Sequence, residues 1–271
     1  MGAALVGAFG LLIGSFLNVV IYRVPLGKSI VSPPSACGNC GHEVRGYDNI
    51  PVLSWLILRG KCRDCAAPIS VRYPLVELAG AAAFGLVAWR FLPAVFEADG
   101  GAALAAGIVQ LVAFLYFAAI SIALALIDLD HHRLPNAIVL PGYIVAAVLF
   151  TVAAALTGAW VPLAIAAVGA LATGALYLVI ALARPGGMGM GDVKLAGVAG
   201  FFLGWLGVPE LVLGTVAAFI LGGVYGVGML LAGRGRRSAI AFGPWLLAGA
   251  WVAILAAGPV VSAYLSLFGI N

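Results

Sequence analysis

Three stretches of this chain, residues 100–127, 134–183 and 238–271, carry no charged side chain. About 20 consecutive apolar residues are what a helix needs to cross the hydrocarbon core of a bilayer. In that solvent every backbone polar group must be satisfied within the protein, so only helices and closed barrels span it. A barrel reads as alternating segments of roughly ten residues, whereas these runs are long and continuous. The expected fold is therefore all-α, a polytopic membrane helical bundle. Composition agrees: 64% hydrophobic and 9% charged residues exclude an ordinary soluble domain.

Dividing the apolar runs at their charges, glycines and prolines gives about eight transmembrane helices, near 2–22, 73–92, 102–127, 137–156, 162–183, 193–208, 211–232 and 243–268. The sixth is short and glycine-containing, and merging it with the seventh would change the topology. Orientation follows from the preference of Lys- and Arg-rich short loops for the cytoplasm. Segment 23–72 holds seven basic residues (Arg23, Lys28, Arg45, Arg59, Lys61, Arg63, Arg72) against three acidic ones (Glu43, Asp48, Asp64). With that loop inside, the other inner turns are 128–136 with Arg133, 184–194 with Arg184 and Lys194, and 233–240 with Arg234, Arg236 and Arg237. The opposite turns carry Glu97, Asp99 and Glu210, and both termini are expected outside. The net charge of +4 belongs to this topology and gives no argument for nucleic acid. The first span lacks a basic leader region and an evident cleavage site, so it is expected to remain as an anchor. Asn18 within it is expected to hydrogen-bond between helices.

All four cysteines lie in the one sizeable polar loop, as Cys37-Gly38-Asn39-Cys40 and Cys62-Arg63-Asp64-Cys65. Two CxxC knuckles about twenty residues apart suit a tetrahedral structural Zn2+ held by Cys37, Cys40, Cys62 and Cys65. Gly41 and Gly60 suit the tight turns, and a metal clip would contribute directly to folding so small a unit. Two disulfides are the competing reading, and they require an oxidising compartment. Four protein ligands leave no open position, so such a metal would not activate water. The expected organisation is a first transmembrane helix (1–22), a cytoplasmic four-cysteine loop domain (23–72) and a helical core (73–271).

Two aspartates sit at the ends of apolar runs: Asp128, in Asp128-Leu129-Asp130-His131-His132-Arg133-Leu134-Pro135-Asn136, and Asp192, in Gly189-Met190-Gly191-Asp192-Val193-Lys194. A carboxylate at membrane depth costs about 2.5–3.5 kcal/mol on insertion scales and usually has a function. The proposed topology puts both at one face. Two such groups can divide hydrolytic labour, one ionised and taking a proton from water, the other protonated and donating to the scissile carbonyl. Asp128 alone is equally consistent with a solvated helix end. His131 and His132 read as interfacial, since no third metal ligand is suitably spaced nearby. The glycines before Asp192 do not form a phosphate loop, because GxxxxGK[ST] is absent. Lys194 reads as a lipid anchor or as a charge biasing Asp192.

In their order, these residues together with Gly14-Ser15-Phe16-Leu17-Asn18-Val19-Val20-Ile21-Tyr22-Arg23, Arg72-Tyr73-Pro74-Leu75-Val76-Glu77 and Phe242-Gly243-Pro244-Trp245 resemble the type IV prepilin leader peptidases, nearly end to end. The resemblance implies a bacterial inner-membrane, GxGD-type aspartic peptidase with Asp128 and Asp192 as its catalytic pair. It further implies that type IV prepilins and type II secretion pseudopilins are cut after a glycine at the cytoplasmic face. The new N-terminus would then be methylated with S-adenosylmethionine. The cysteine-bearing loop resembles the bifunctional members. No glycine-rich nucleotide fingerprint appears, so no residues are assigned to the methyl donor, and the oligomeric state is not indicated. From another class, a secondary transporter or channel would use the two aspartates as a proton or cation site. A third reading is a noncatalytic assembly scaffold whose zinc loop binds a cytoplasmic partner.

Overall fold

The computed structural model describes residues 1–183, 187–232 and 241–267. Arg184, Arg234, Arg236 and Arg237, used above for the inner turns, lie outside the described residues. Among those described there are nine α-helices and no β-strand: α1 (Gly2–Arg23), α2 (Leu53–Ile57), α3 (Arg72–Phe96), α4 (Gly101–His131), α5 (Asn136–Thr157), α6 (Trp160–Ala183), α7 (Met190–Leu206), α8 (Val208–Leu231) and α9 (Gly243–Leu267). Seven of them are long and apolar enough to cross a membrane. The remaining expected span, the sixth, is α7, a separate helix of 17 residues. It rises about 25 Å, at the lower limit for a span, and Gly207 (φ +148) separates it from α8.

Two boundaries differ from expectation in a way that matters. The third span was expected to stop at 127, but α4 continues to His131 and so includes Asp128. It ends where His132 turns left-handed (φ +50) and returns its N–H to the Asp128 carbonyl at 2.9 Å. The sixth span was expected to begin at 193, but α7 starts at Met190 because the Asp192 carboxylate accepts the Gly189 N–H, closing the first turn. Both aspartates therefore belong to helices rather than to connecting turns.

Lipid tails are as apolar as leucine, so helices in a bilayer associate through close packing of small residues. Three antiparallel pairs do this. Between α1 and α3, a Cβ on Gly10 would lie 2.5 Å from the Gly80 carbonyl oxygen, and one on Gly14 would lie 2.6 Å from the Glu77 Cα. Between α6 and α7, a Cβ on Gly204 would lie 2.7 Å from the Ile165 carbonyl oxygen, and Gly200 lies against Thr173 and Gly169. Between α8 and α9, Gly249 lies against Ala218 and Gly214.

Helix α7 is enclosed by α5, α6, α8 and α9, and its buried residues extend from Asp192 to Trp205 on nearly all sides. Its Phe202 stacks on Phe117 of α4 and its Trp205 on Phe150 of α5, with ring centroids 4.4 and 4.6 Å apart. Side chains also hold its backbone: Tyr143 donates to the Lys194 carbonyl at 2.7 Å, and Thr173 to the Ala196 carbonyl at 2.9 Å. Asn18 donates from α1 to the Tyr73 carbonyl of α3 at 3.1 Å, the interhelical role expected of it.

Replacing Gly200 by Leu must therefore separate α6 from α7. A loss of about 3 kcal/mol is expected, read as a lowered thermal midpoint of the purified protein. Gly223→Leu, where no atom lies within 4 Å of a Cβ, should leave the midpoint unchanged.

Candidate active site and metal centre

Asp128 and Asp192 line one cavity of about 420 Å3, together with Val24, Pro25, His132, Arg133, Leu134, Pro135, Gly189 and Gly191. The end of α1, the α4–α5 turn and the start of α7 thus meet at one end of the bundle. Both aspartates are buried, at 5% and 8% exposure, so their polar atoms need partners. Each has one oxygen held by a backbone N–H. Asp128 Oδ2 accepts from Gly243 at 3.0 Å, and Asp192 Oδ2 accepts from Gly189 at 3.2 Å. Asp192 Oδ1 is buried and has no partner among the described residues.

The donor to Asp128 exists because the first N–H groups of a helix have no partner inside it. Gly243 opens α9, and a Cβ there would stand 2.7 Å from Asp128 Oδ2. Only glycine lets the backbone approach so closely without displacing the carboxylate. Gly191 is constrained in the same way, since its Cβ would lie 2.9 Å from that of Leu134.

Asp130 does not share the cavity. Two residues along a helix turn a side chain by about 200°, and Asp130 instead forms a bidentate ion pair with Arg72 of α3, with Nη1 3.0 Å from Oδ1. Lys194 likewise points elsewhere, donating to Asn136 Oδ1 at 3.0 Å. His131 and His132 are both exposed, and of the two His132 lines the cavity.

The four cysteines converge in the loop between α1 and α3. Their sulfurs all lie within 4.8 Å of one another, and Cys37 Sγ is 3.8 Å from Cys65 Sγ. A tetrahedral ion with Zn–S bonds of about 2.3 Å has sulfur–sulfur edges of ~3.8 Å, so the donor set fits a metal ion. No pair is bonded as a disulfide. The Cys40 and Asn39 N–H groups lower the Cys37 thiol to about 6. Cys40 moves the other way, to about 11: the His42 N–H favours its thiolate, but burial and the neighbouring sulfurs outweigh that. Four adjacent thiolates repel one another unless a cation sits between them.

The two knuckles share one backbone pattern. Cys37 N–H bonds the His42 carbonyl and Gly41 N–H the Cys37 carbonyl; Cys62 N–H bonds the Ala67 carbonyl and Ala66 N–H the Cys62 carbonyl, all at 2.8–2.9 Å. Crossed ion pairs join the halves, Arg45 with Asp64 at 2.8 Å and Arg63 with Asp48. The Arg63 guanidinium holds the Asp48 carboxyl below its usual range. Of the basic residues near the cluster, Arg45 and Arg63 are engaged in these pairs, while Arg59 and Lys61 form no ion pair among the described residues.

Residues 8–91 match the family model described as the bacterial peptidase A24 N-terminal domain, and residues 114–227 match that of the type IV leader peptidase family. A prepilin leader peptidase/N-methyltransferase of Aeromonas salmonicida is 35% identical over 97% of this chain and 94% of its own length. Proteins of the same name from Pseudomonas putida and Neisseria gonorrhoeae are each 36% identical, over 96% and 92% of this chain and 92% and 88% of their own. The chain belongs to the type IV leader peptidase family. No solved structure matches it.

In this leader peptidase, sequence reasoning brought forward the two aspartates and four cysteines but gave Gly243 no role. The available signal was a glycine followed by proline at the start of the last apolar run. It also missed Ala66, which takes the left-handed position (φ +57) that Gly41 takes (φ +72) in the first knuckle. A left-handed non-glycine residue costs roughly 1–2 kcal/mol. Ala66→Gly is therefore expected to stabilise the metal loop by about 1 kcal/mol, read as slower metal loss to a chelator, and Gly41→Ala to destabilise it by a similar amount.

Proposed function

We propose that the chain is a membrane-embedded aspartic endopeptidase of the bacterial inner membrane. It removes the leader of type IV prepilins and type II secretion pseudopilins after a glycine at the cytoplasmic face, and then methylates the new N-terminus with S-adenosylmethionine. The observation that carries this reading is the shared cavity of Asp128 and Asp192, buried at the end of the bundle and containing a carboxylate oxygen without a partner. A buried acceptor left unbonded is costly, and a water or substrate amide would satisfy it.

The chemistry divides between the two carboxylates. One takes a proton from the attacking water and the other donates to the scissile carbonyl. The backbone N–H groups of Gly189 and Gly243 each fix one oxygen, which leaves the other free to address water or substrate. A helical peptide bond is shielded by its own hydrogen bonds, so the substrate's leader junction must unwind to enter, while its apolar helix remains in lipid. The basic residues of the leader favour an anionic leaflet, which sets depth and register. A transporter site would lie near the midplane, whereas these aspartates stand in the last turn of α4 and the first of α7.

The segment 23–72 is the metal-bearing unit of this reading, between the first helix and the peptidase core of 73–271. Cys37, Cys40, Cys62 and Cys65 would hold Zn2+, which would fix the fold of the loop and leave no open position for chemistry. One zinc per chain is expected on metal analysis. Cys37→Ser or Cys62→Ser should release it and impair stability or methylation before cleavage; a zinc-free, fully active preparation would reject the structural metal.

Incubation with a prepilin and labelled S-adenosylmethionine, followed by mass spectrometry of the product N-terminus, tests both activities together. Asp128→Asn and Asp192→Asn should each abolish cleavage while inserting normally, and Asp130→Asn should retain it. Cleavage retained in either of the first two would sink the assignment of that residue.

A further inference from the structure

We propose that α2 and the turn after it form a lipid-contacting element, in which Leu53, Leu56 and Ile57 lie among acyl chains of the leaflet at the aspartate end of the bundle. Arg59 and Lys61 then rest on its anionic headgroups. The loop would in this way be seated on the bilayer rather than suspended above it.

Depth is the first argument. The Val52 N–H, immediately before α2, donates to Glu77 Oε2 at 2.7 Å, and Gly14 of α1 packs on the same residue, where a Cβ would lie 2.6 Å from the Glu77 Cα. Glu77 is buried at 8% exposure. Basic residues at helix ends mark the headgroup level; here they are Arg72 at the start of α3 and Arg23 at the end of α1. At 1.5 Å per residue, Glu77 lies about 7 Å beyond Arg72, and Gly14 about 14 Å before Arg23. Both distances place the start of α2 below the headgroups.

The second argument is the way α2 is turned. Its inner side is fixed by polar bonds, Ser54 Oγ to the Tyr47 carbonyl at 3.0 Å and Trp55 Nε1 to the Ile69 carbonyl at 3.1 Å. Its outer side is apolar and uncovered, with Leu53 56%, Leu56 56% and Ile57 73% exposed. At the Glu77 level of α3, Leu75 and Leu78 are also exposed. An aqueous loop gains nothing from such a face, whereas an interfacial helix buries it among lipid. Val52 is held at φ +62, a conformation unfavourable for a β-branched residue, and the Glu77 bond holds it there.

Charge is the third argument. The turn after α2 places two exposed cations, without an ion pair among the described residues, beside the apolar face, and anionic lipid attracts such residues. Its shape is fixed: Arg59 and Gly60 are both left-handed (φ +51 and +67), and a Cβ on Gly60 would stand 2.9 Å from Trp55 Cζ2.

The test uses the full chain in vesicles of phosphatidylethanolamine and phosphatidylglycerol, with a nitroxide carried by a non-canonical amino acid at position 57 so that the cysteines stay untouched. Without substrate, the label at 57 should be reached by oxygen in preference to a water-soluble nickel chelate, and a label at the exposed loop position 31 should show the reverse. Glu77→Ala should shift position 57 toward water, while Glu77→Gln, which keeps an acceptor for Val52, should not. Arg59→Gln with Lys61→Gln should lower the oxygen-to-nickel ratio several-fold, and an unchanged ratio overturns the role of the cations. The proposal is overturned if the label at 57 is as aqueous as that at 31. It is also overturned if shielding appears only when a prepilin peptide is added, which would assign the face to a protein partner.

Discussion

Close approach of helix backbones is the interaction on which this structure rests. In hydrocarbon there is no hydrophobic gain from bringing two apolar helices together, so association comes from contact itself. Glycine permits the most contact because nothing projects from its Cα. The faces built around Gly10, Gly14 and Gly80, around Gly169, Gly200 and Gly204, and around Gly214 and Gly249 join α1 to α3, α6 to α7 and α8 to α9. The second and third pairs set the level of α7 and α9. That level brings Asp192 to the cavity and Gly243 to Asp128.

Three acidic residues near one end of the bundle are handled in two ways. Asp130 faces outward and is neutralised by Arg72. Asp128 and Asp192 face the cavity, form no ion pair among the described residues, and each has one oxygen held by a backbone N–H. A structural carboxylate in a membrane protein is normally paired. The contrast between neighbours two residues apart is what favours catalysis for the inward pair in a member of this family.

The loop between α1 and α3 is a different kind of structure. It has little core, and its order comes from the four sulfurs, the crossed ion pairs of Arg45 and Arg63, and its attachment to α3 through Val52 and Glu77. These bonds connect the sulfur cluster to the same helix whose first residue holds Asp130. The loop and the aspartate end are thus parts of one mechanical unit.

Much of this was legible in the sequence. Uncharged runs of membrane length fix the number and places of the long helices, because hydrocarbon leaves a chain no other way to satisfy its backbone. Paired CxxC spacings identify the sulfur cluster, since two short turns are enough to aim four side chains at one point. What the sequence could not give was orientation. Whether Asp128 or Asp130 faces inward depends on helical phase relative to α3 and α7, and that is set by contacts between residues more than fifty positions apart. The role of Gly243 depends on a backbone N–H more than one hundred residues from its acceptor, and the left-handed turn at Ala66 has no glycine to announce it. The sequence by itself determined a helical membrane protein with two acids at the ends of apolar runs and four clustered thiols, because solvent and local spacing dictate those features. Only the tertiary structure decided that both acids are buried in one cavity and which backbone N–H each meets, because that follows from how closely distant backbones can pack.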